Sequence, residues 1–204
     1  MATPLADYLT AAGPWLPLVQ PTPSSAWLAW VERLVAAGIQ VIEVPLRDAH
    51  ACSGLRAARQ AFPDLIIAAG TVRTLADAGA ALDAGAHFLV SPGVSSELLE
   101  WSQAHAVPWL PGVATASDLL QCQTLNHPFR KFFPAGGVAT LKAFAGPFAE
   151  LKFVPSGGVS VAAARSYLAC QNVVCVSASW DSAALGSTAA AVRAQLASLR
   201  TEAS

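Results

Sequence analysis

Charge is scarce in this chain. Its 204 residues hold only 12 Lys and Arg against 13 Asp and Glu, a net charge of −1. A nucleic-acid surface requires a basic excess, and there is none. Scarcity of charge does not make the chain a membrane span: no apolar run approaches the ~20 residues needed to cross a bilayer. Nor is it disordered, because apolar residues, many of them Ala, make up 54% of it. The opening MATPLADYLT lacks a basic stretch and has Asp7 where a signal peptide would be apolar, which predicts a cytoplasmic protein. Cys52, Cys122, Cys170 and Cys175 form no CxxC and no framework spacing, so reduced and mostly buried thiols are expected. His50, His87, His105 and His127 form no HxxxH or HxH pair, so neither a metal nor another cofactor is expected.

What the chain does have is a rhythm. Short apolar runs recur about every 20–25 residues, at 15–19, 41–46, 66–71, 88–92, 108–113, 129–134, 151–156 and 173–179. They are continuous rather than alternating, as in parallel strands covered on both faces. Helical stretches lie between them. Residues 24–37 put Trp27, Val31, Leu34 and Val35 on one face, opened by Ser24 or Ser25 and closed by Gly38. Thr74 with Asp77, and Thr115 with Asp118, have capping-box spacing. Gly38 and Gly85 fit left-handed helix ends. Further helices are expected at 95–105, 138–146, 161–170 and 186–200, with an extra one at 4–12. This pattern predicts an α/β fold: one (β/α)8 TIM barrel over residues 1–204 with an additional N-terminal helix. An open doubly wound sheet is the second choice, weakened because no GxGxxG follows a strand.

A barrel of this kind works at the C-terminal ends of its strands. Polar residues gather there: Glu43 and Arg47 at the second strand, Thr71 at the third, Ser91-Pro92 at the fourth, Lys131 at the sixth, Ser156-Gly157-Gly158 at the seventh, and Ser177 to Ser179 at the eighth. On the second strand Ile42 and Val44 should face the helices, which turns Glu43 inward. On the sixth, Lys131 and Phe133 oppose Arg130 and Phe132. Strands two and six are both even, so Glu43 and Lys131 should meet in or near one interior layer. Such a pair is also what a structural ion pair looks like, but apolar cores seldom keep charge without a use. Burial favours the neutral form of an amine, which attacks carbonyls, and a neighbouring carboxylate can shuttle protons. Lys142 falls in a helix and Lys152 at the wrong end of a strand, leaving Lys131 as the candidate nucleophile. Gly157-Gly158 fits either a tight turn or the backbone cradle of a phosphate after strand seven.

At these residues the chain resembles the 2-keto-3-deoxy-6-phosphogluconate (KDPG) and 4-hydroxy-2-oxoglutarate (KHG) aldolases. The matching segments are VIEVPLR at 41–47, AAGTV at 68–72, FLVSPGV at 88–94, LPGVATASDL at 110–119, KFFPAGGV at 131–138, AGPF at 145–148 and FVPSGGV at 153–159. The resemblance implies a metal-free, homotrimeric Schiff-base aldolase that splits 2-dehydro-3-deoxy-6-phosphogluconate or a related 4-hydroxy-2-oxo acid into pyruvate and an aldehyde. It makes Lys131 the imine lysine and Glu43 the acid–base group. It places Arg47 and Thr71 at the pyruvate carboxylate, Pro92 and Phe133 against the pyruvyl part, and Ser156, Gly157, Gly158 and Ser179 at the distal hydroxyl and phosphate. Partners other than the small-molecule oxo acid and pyruvate are not implied. Two other readings of the same residues stay open: a phosphate-binding isomerase or epimerase that uses Glu43 as base, and a non-catalytic sugar-acid binder.

The chain departs from the family at three places. Ala135 runs directly into Gly136-Gly137, about three residues short of the usual segment. Ser177-Ala178 stands where a glycine-rich pair is common, and Gln20 where Arg is common. The expectation from the first two is a weaker preference for a phosphorylated substrate, with the β-carbons of Ser177 and Ala178 crowding the phosphate or Ser177 donating to it.

Overall fold

The computed structural model describes residues 4–23 and 26–200. The eight expected strand positions are all occupied, by strands shorter than the apolar runs: β1 (Trp15–Pro17), β2 (Val41–Pro45), β3 (Ile66–Gly70), β4 (Phe88–Val90), β5 (Trp109–Leu110), β6 (Gly112–Val113), β7 (Phe129–Phe132), β8 (Lys152–Pro155) and β9 (Val176–Ala178). The single run expected at 108–113 is divided at Pro111, into β5, which pairs with β4, and β6, which pairs with β7. Proline has no N–H for a ladder, although its carbonyl still accepts from the Lys131 N–H. Every pairing is parallel. Bridges Leu18 to Glu43 and Ser156 to Ser177 join the remaining edges, so the ring closes as a (β/α)8 barrel with β5 and β6 as one staggered strand.

The helices are α1 (Leu5–Ala12), α2 (Ala26–Ala36), α3 (Ala51–Ala61), α4 (Leu75–Asp83), α5 (Ser96–Ala104), α6 (Ala116–Gln121), α7 (Val138–Phe144), α8 (Val161–Leu168), α9 (Ser182–Leu185) and α10 (Ala189–Arg200). Thr74 and Thr115 form the expected capping boxes with Asp77 and Asp118. Gly38 and Gly85 both have φ +95°, and each helix end makes the paired hydrogen bonds of a Schellman motif. Three expectations change. Val35 is 38% exposed rather than part of the buried stripe of Trp27, Val31 and Leu34. α3 and α9 have no counterpart among the expected elements, and the helix expected at 186–200 begins only at Ala189, after the loop that follows α9. Ser24 and Ser25, expected to open α2, lie outside the described residues.

Side-chain alternation sorts the core into two parts. Ile42, Val44, Ile67, Phe132 and Phe153 face outward into the layer between barrel and helices. Inside, the side chains stack in layers of four from alternate strands, the packing this fold uses. Val41, Phe88, Phe129 and Cys175 make the lowest even layer, and Leu16, Ala68, Leu110 and Val154 the odd layer above it. Leu5, Leu9 and Ala12 of α1 pack on the same cluster, so the extra helix plugs the N-terminal end of the barrel. The interior at that end is filled by apolar side chains, and polar groups enter it only toward the C-terminal ends of the strands.

Candidate active site

The next even layer is where the interior changes character. Alternation brings Glu43 from β2, Val90 from β4, Lys131 from β7 and Ser177 from β9 into the barrel. Glu43 is wholly inaccessible and Lys131 only 5% exposed. Lys131 Nζ donates to Glu43 Oε1 at 3.1 Å. Ser177 Oγ donates to the other carboxylate oxygen, Oε2, at 2.9 Å. Lys131 Nζ also stands 5.6 Å from the centre of the Phe133 ring. The pair expected from strand parity is thus formed, with a third member that parity alone did not single out.

Two glycines make room for this layer. A β-carbon on Gly70 would run into Glu43, with Cγ at 2.8 Å and Cδ at 2.9 Å. One on Gly112 would strike the backbone of Pro92. Neither position has a left-handed φ, so the requirement is space and not conformation. Cys175, one step below Ser177 on the same face, is no rival nucleophile: burial first, and the Glu43 charge second, push its thiol up to about 12.

The remaining expected site residues rim the mouth. Pro92 and Phe133 are half-buried, and Arg47 and Ser179 are exposed. Ser91 fixes the Pro92 turn: its hydroxyl donates to the Gly93 carbonyl at 2.6 Å and accepts from Trp109 Nε1 at 3.0 Å. Thr71 has φ +61°, an uncommon conformation for a β-branched residue and a sign of local strain. Ser156 is buried beside Ser177, and Gly157 and Gly158 follow with φ +87° and +77°. A β-carbon on Gly157 would stand 2.8 Å from the Phe133 ring, so the turn after strand seven packs directly on the wall beside Lys131. The rival lysines are elsewhere: Lys142 is exposed on α7, and Lys152 Nζ donates to the Gln171 carbonyl.

The crowding expectation at Ser177 and Ala178 is not met. Ser177 turns into the interior layer and commits its hydroxyl hydrogen to Glu43, while Ala178 packs in the outer core. The loop after strand eight also holds a capped helix start that sequence reasoning missed. Asp181 caps the short helix α9, its Oδ1 accepting from the N–H groups of Ala183 at 3.0 Å and Ala184 at 3.1 Å. The signal was an Asp one residue ahead of a Ser-Ala-Ala stretch. Gln20 is also engaged, its Nε2 donating to Asp48 Oδ2 at 2.8 Å.

Comparison with known proteins places this geometry. The model of the aldolase family described as KDPG and KHG aldolase matches residues 9–191. The chain belongs to the KDPG and KHG aldolase family. It is 41% identical over 170 residues to the 2-dehydro-3-deoxy-phosphogluconate aldolase of Pseudomonas aeruginosa, covering 81% of this chain and 76% of that one. Among solved structures, the 2-keto-3-deoxy-6-phosphogluconate aldolase of Zymomonas mobilis, crystallised with 3-phosphoglycerate, superposes with a TM-score of 0.86 at 30% identity, covering 99% of each chain. The KDPG aldolase of Legionella pneumophila superposes with a TM-score of 0.84 at 36% identity, covering 94% of this chain and 96% of that one. That protein holds pyruvate captured at low pH as a covalent carbinolamine intermediate. The chain is accordingly a member of an aldolase family built on a (β/α)8 barrel.

Proposed function

We propose that the protein cleaves 2-dehydro-3-deoxy-6-phosphogluconate or a related 4-hydroxy-2-oxo acid to pyruvate and an aldehyde, with Lys131 as nucleophile and Glu43 as acid and base. The neutral amine of Lys131 adds to the C2 ketone to give a carbinolamine. Glu43, within reach of Nζ, moves the protons that let the hydroxyl leave as water, giving a protonated imine. The imine draws the electron pair of the C3–C4 bond as it breaks. Glu43, directly or through a water, takes the C4 hydroxyl proton, and the aldehyde departs. The enamine left behind is protonated at C3, and water releases pyruvate and restores the amine. The observation that carries this reading is a buried Lys–Glu pair inside the barrel, above the apolar cluster on which α1 packs.

In this reading Arg47 and Thr71 hold the pyruvate carboxylate, and Pro92 and Phe133 pack on the pyruvyl part. Ser156, Gly157, Gly158 and Ser179 face the distal end. The electron sink is the imine, so no metal or other cofactor is required. We place the whole chain, 1–204, in one barrel domain. Family likeness supports a homotrimer and a cytoplasmic location.

The distal end is the point of departure from the family. Neither loop after strands seven and eight has a basic residue, and the N–H groups of Ala183 and Ala184 at the start of α9 are taken by the carboxylate of Asp181. A phosphate there would meet like charge. The preference for a phosphorylated substrate is therefore weaker than the likeness implies.

The test is pyruvate release from a panel of 4-hydroxy-2-oxo acids, phosphorylated and not, with Lys131→Ala as control. Release by the unmodified protein and none by the variant is the expected result. Equal release by both would remove Lys131 from the reaction. No release from any member of the panel would favour the binding-protein or isomerase readings.

A further inference from the structure

Glu43 has a separate donor for each of its oxygens. Lys131 on β7 serves Oε1 at 3.1 Å, and Ser177 on β9 serves Oε2 at 2.9 Å. Glu43 is fully inaccessible and Ser177 only 1% exposed, so water does not replace either bond. The last torsion of a glutamate is broad and nearly free, so a carboxylate anchored by one oxygen still swings. A second anchor removes that motion. It also sets which oxygen faces the lysine, because Oε2 is held toward β9.

We propose that Ser177 is a positioning residue for turnover: by holding Oε2 it aims Oε1 of Glu43 at Lys131 Nζ. This rests on the reading of Lys131 and Glu43 as the reacting pair. Losing the Ser177 hydroxyl slows proton transfer, because the carboxylate is no longer held toward the lysine. Substrate binding changes little, since the serine reaches only Glu43.

The experiment measures kcat and KM for the unmodified protein, Ser177→Ala and Ser177→Thr, with borohydride trapping of the pyruvyl imine in each. Ser177→Ala should lower kcat about tenfold, the scale of a hydrogen bond to a charged group, with KM nearly unchanged. Ser177→Thr keeps the hydroxyl and should recover most of the rate. Trapping should persist in all three. If Ser177→Ala keeps the full rate while the imine still forms, the positioning role is wrong and the Lys131 chemistry stands. If Ser177→Thr loses rate as much as Ser177→Ala, the hydroxyl does not carry the effect and Ser177 is only packing. If the unmodified protein traps no imine, the reading beneath this one fails and the inference with it.

Discussion

The backbone of Gly70 passes so close to the carboxylate of Glu43 that the two residues cannot both carry full side chains. An added β-carbon would overlap Oε1 and stand 2.9 Å from Cδ. Gly70→Ala must therefore push Glu43 off Lys131 and Ser177, or shift β3 itself. Turnover should fall at least tenfold, since misplacement by about 1 Å can cost ~100-fold. The melting temperature should fall as well, because overpacking a core costs roughly 1–3 kcal/mol. Steady-state kinetics and thermal unfolding check both; a Gly70→Ala protein with normal kcat would mean that the Glu43 position is not critical.

Glu43→Gln separates shape from proton transfer. The amide retains size and an acceptor for Lys131, and the Ser177 hydroxyl can accept from its nitrogen. What it cannot do is exchange a proton with substrate. The expected outcome is a folded protein with kcat reduced about 10²–10⁴-fold, the usual worth of acid–base assistance. Circular dichroism confirms the fold, and pyruvate release reports the rate; near-normal release would assign the proton transfers to another group or to water.

Acid should weaken the fold through two histidines away from the site. His127 is buried against Phe129, and burial first, then the nearby Arg130 charge, hold it down to about 4. His87 is lowered too, by burial first and then Arg59. In the unfolded chain both take up protons near pH ~6.5. Above that value both states are neutral at these positions and nothing is lost. As pH falls below it, the unfolded chain binds protons that the folded one refuses, so stability declines, for His127 until pH reaches about 4. Urea midpoints measured across this range should fall. In His127→Gln, which gains no charge, the decline should be shallower; an identical slope would show that His127 does not contribute.

Much of this was legible beforehand, for identifiable reasons. Strand parity has a period of two, so the apolar pair Ile42 and Val44 oriented Glu43 without any tertiary information. Lys131 stood out because it has only two rivals. α3 was not legible: its buried face is Ala51, Gly54, Leu55 and Ala58, a small-residue stripe with one large apolar member. Gly54 is required there because a β-carbon would meet the Pro21 ring at 2.5 Å, a contact between segments far apart in sequence. The Ser177–Glu43 bond was half legible. The alternation of Cys175, Ser177 and Ser179 turns Ser177 inward, but only the geometry shows which oxygen it reaches.

The proposed distal end makes Asp181 a test of specificity. Asp181→Ser keeps a capping side chain for α9 and removes the negative charge. Its kcat/KM for a phosphorylated substrate, divided by that for the unphosphorylated analogue, should rise several-fold over the unmodified protein; like-charge removal near a surface is worth about 1 kcal/mol or less. A ratio that does not move, in a protein already strongly selective for phosphate, would show that the cap carboxylate does not bear on the distal site.

The most direct measurement is mass spectrometry after borohydride reduction in the presence of pyruvate. Only an imine is trapped this way. One reduced pyruvyl group per chain, mapped to the peptide containing Lys131 and absent from Lys131→Ala, is the expected result. A label on Lys152, a label that persists in Lys131→Ala, or no label from a protein that still releases pyruvate would contradict the role given to Lys131.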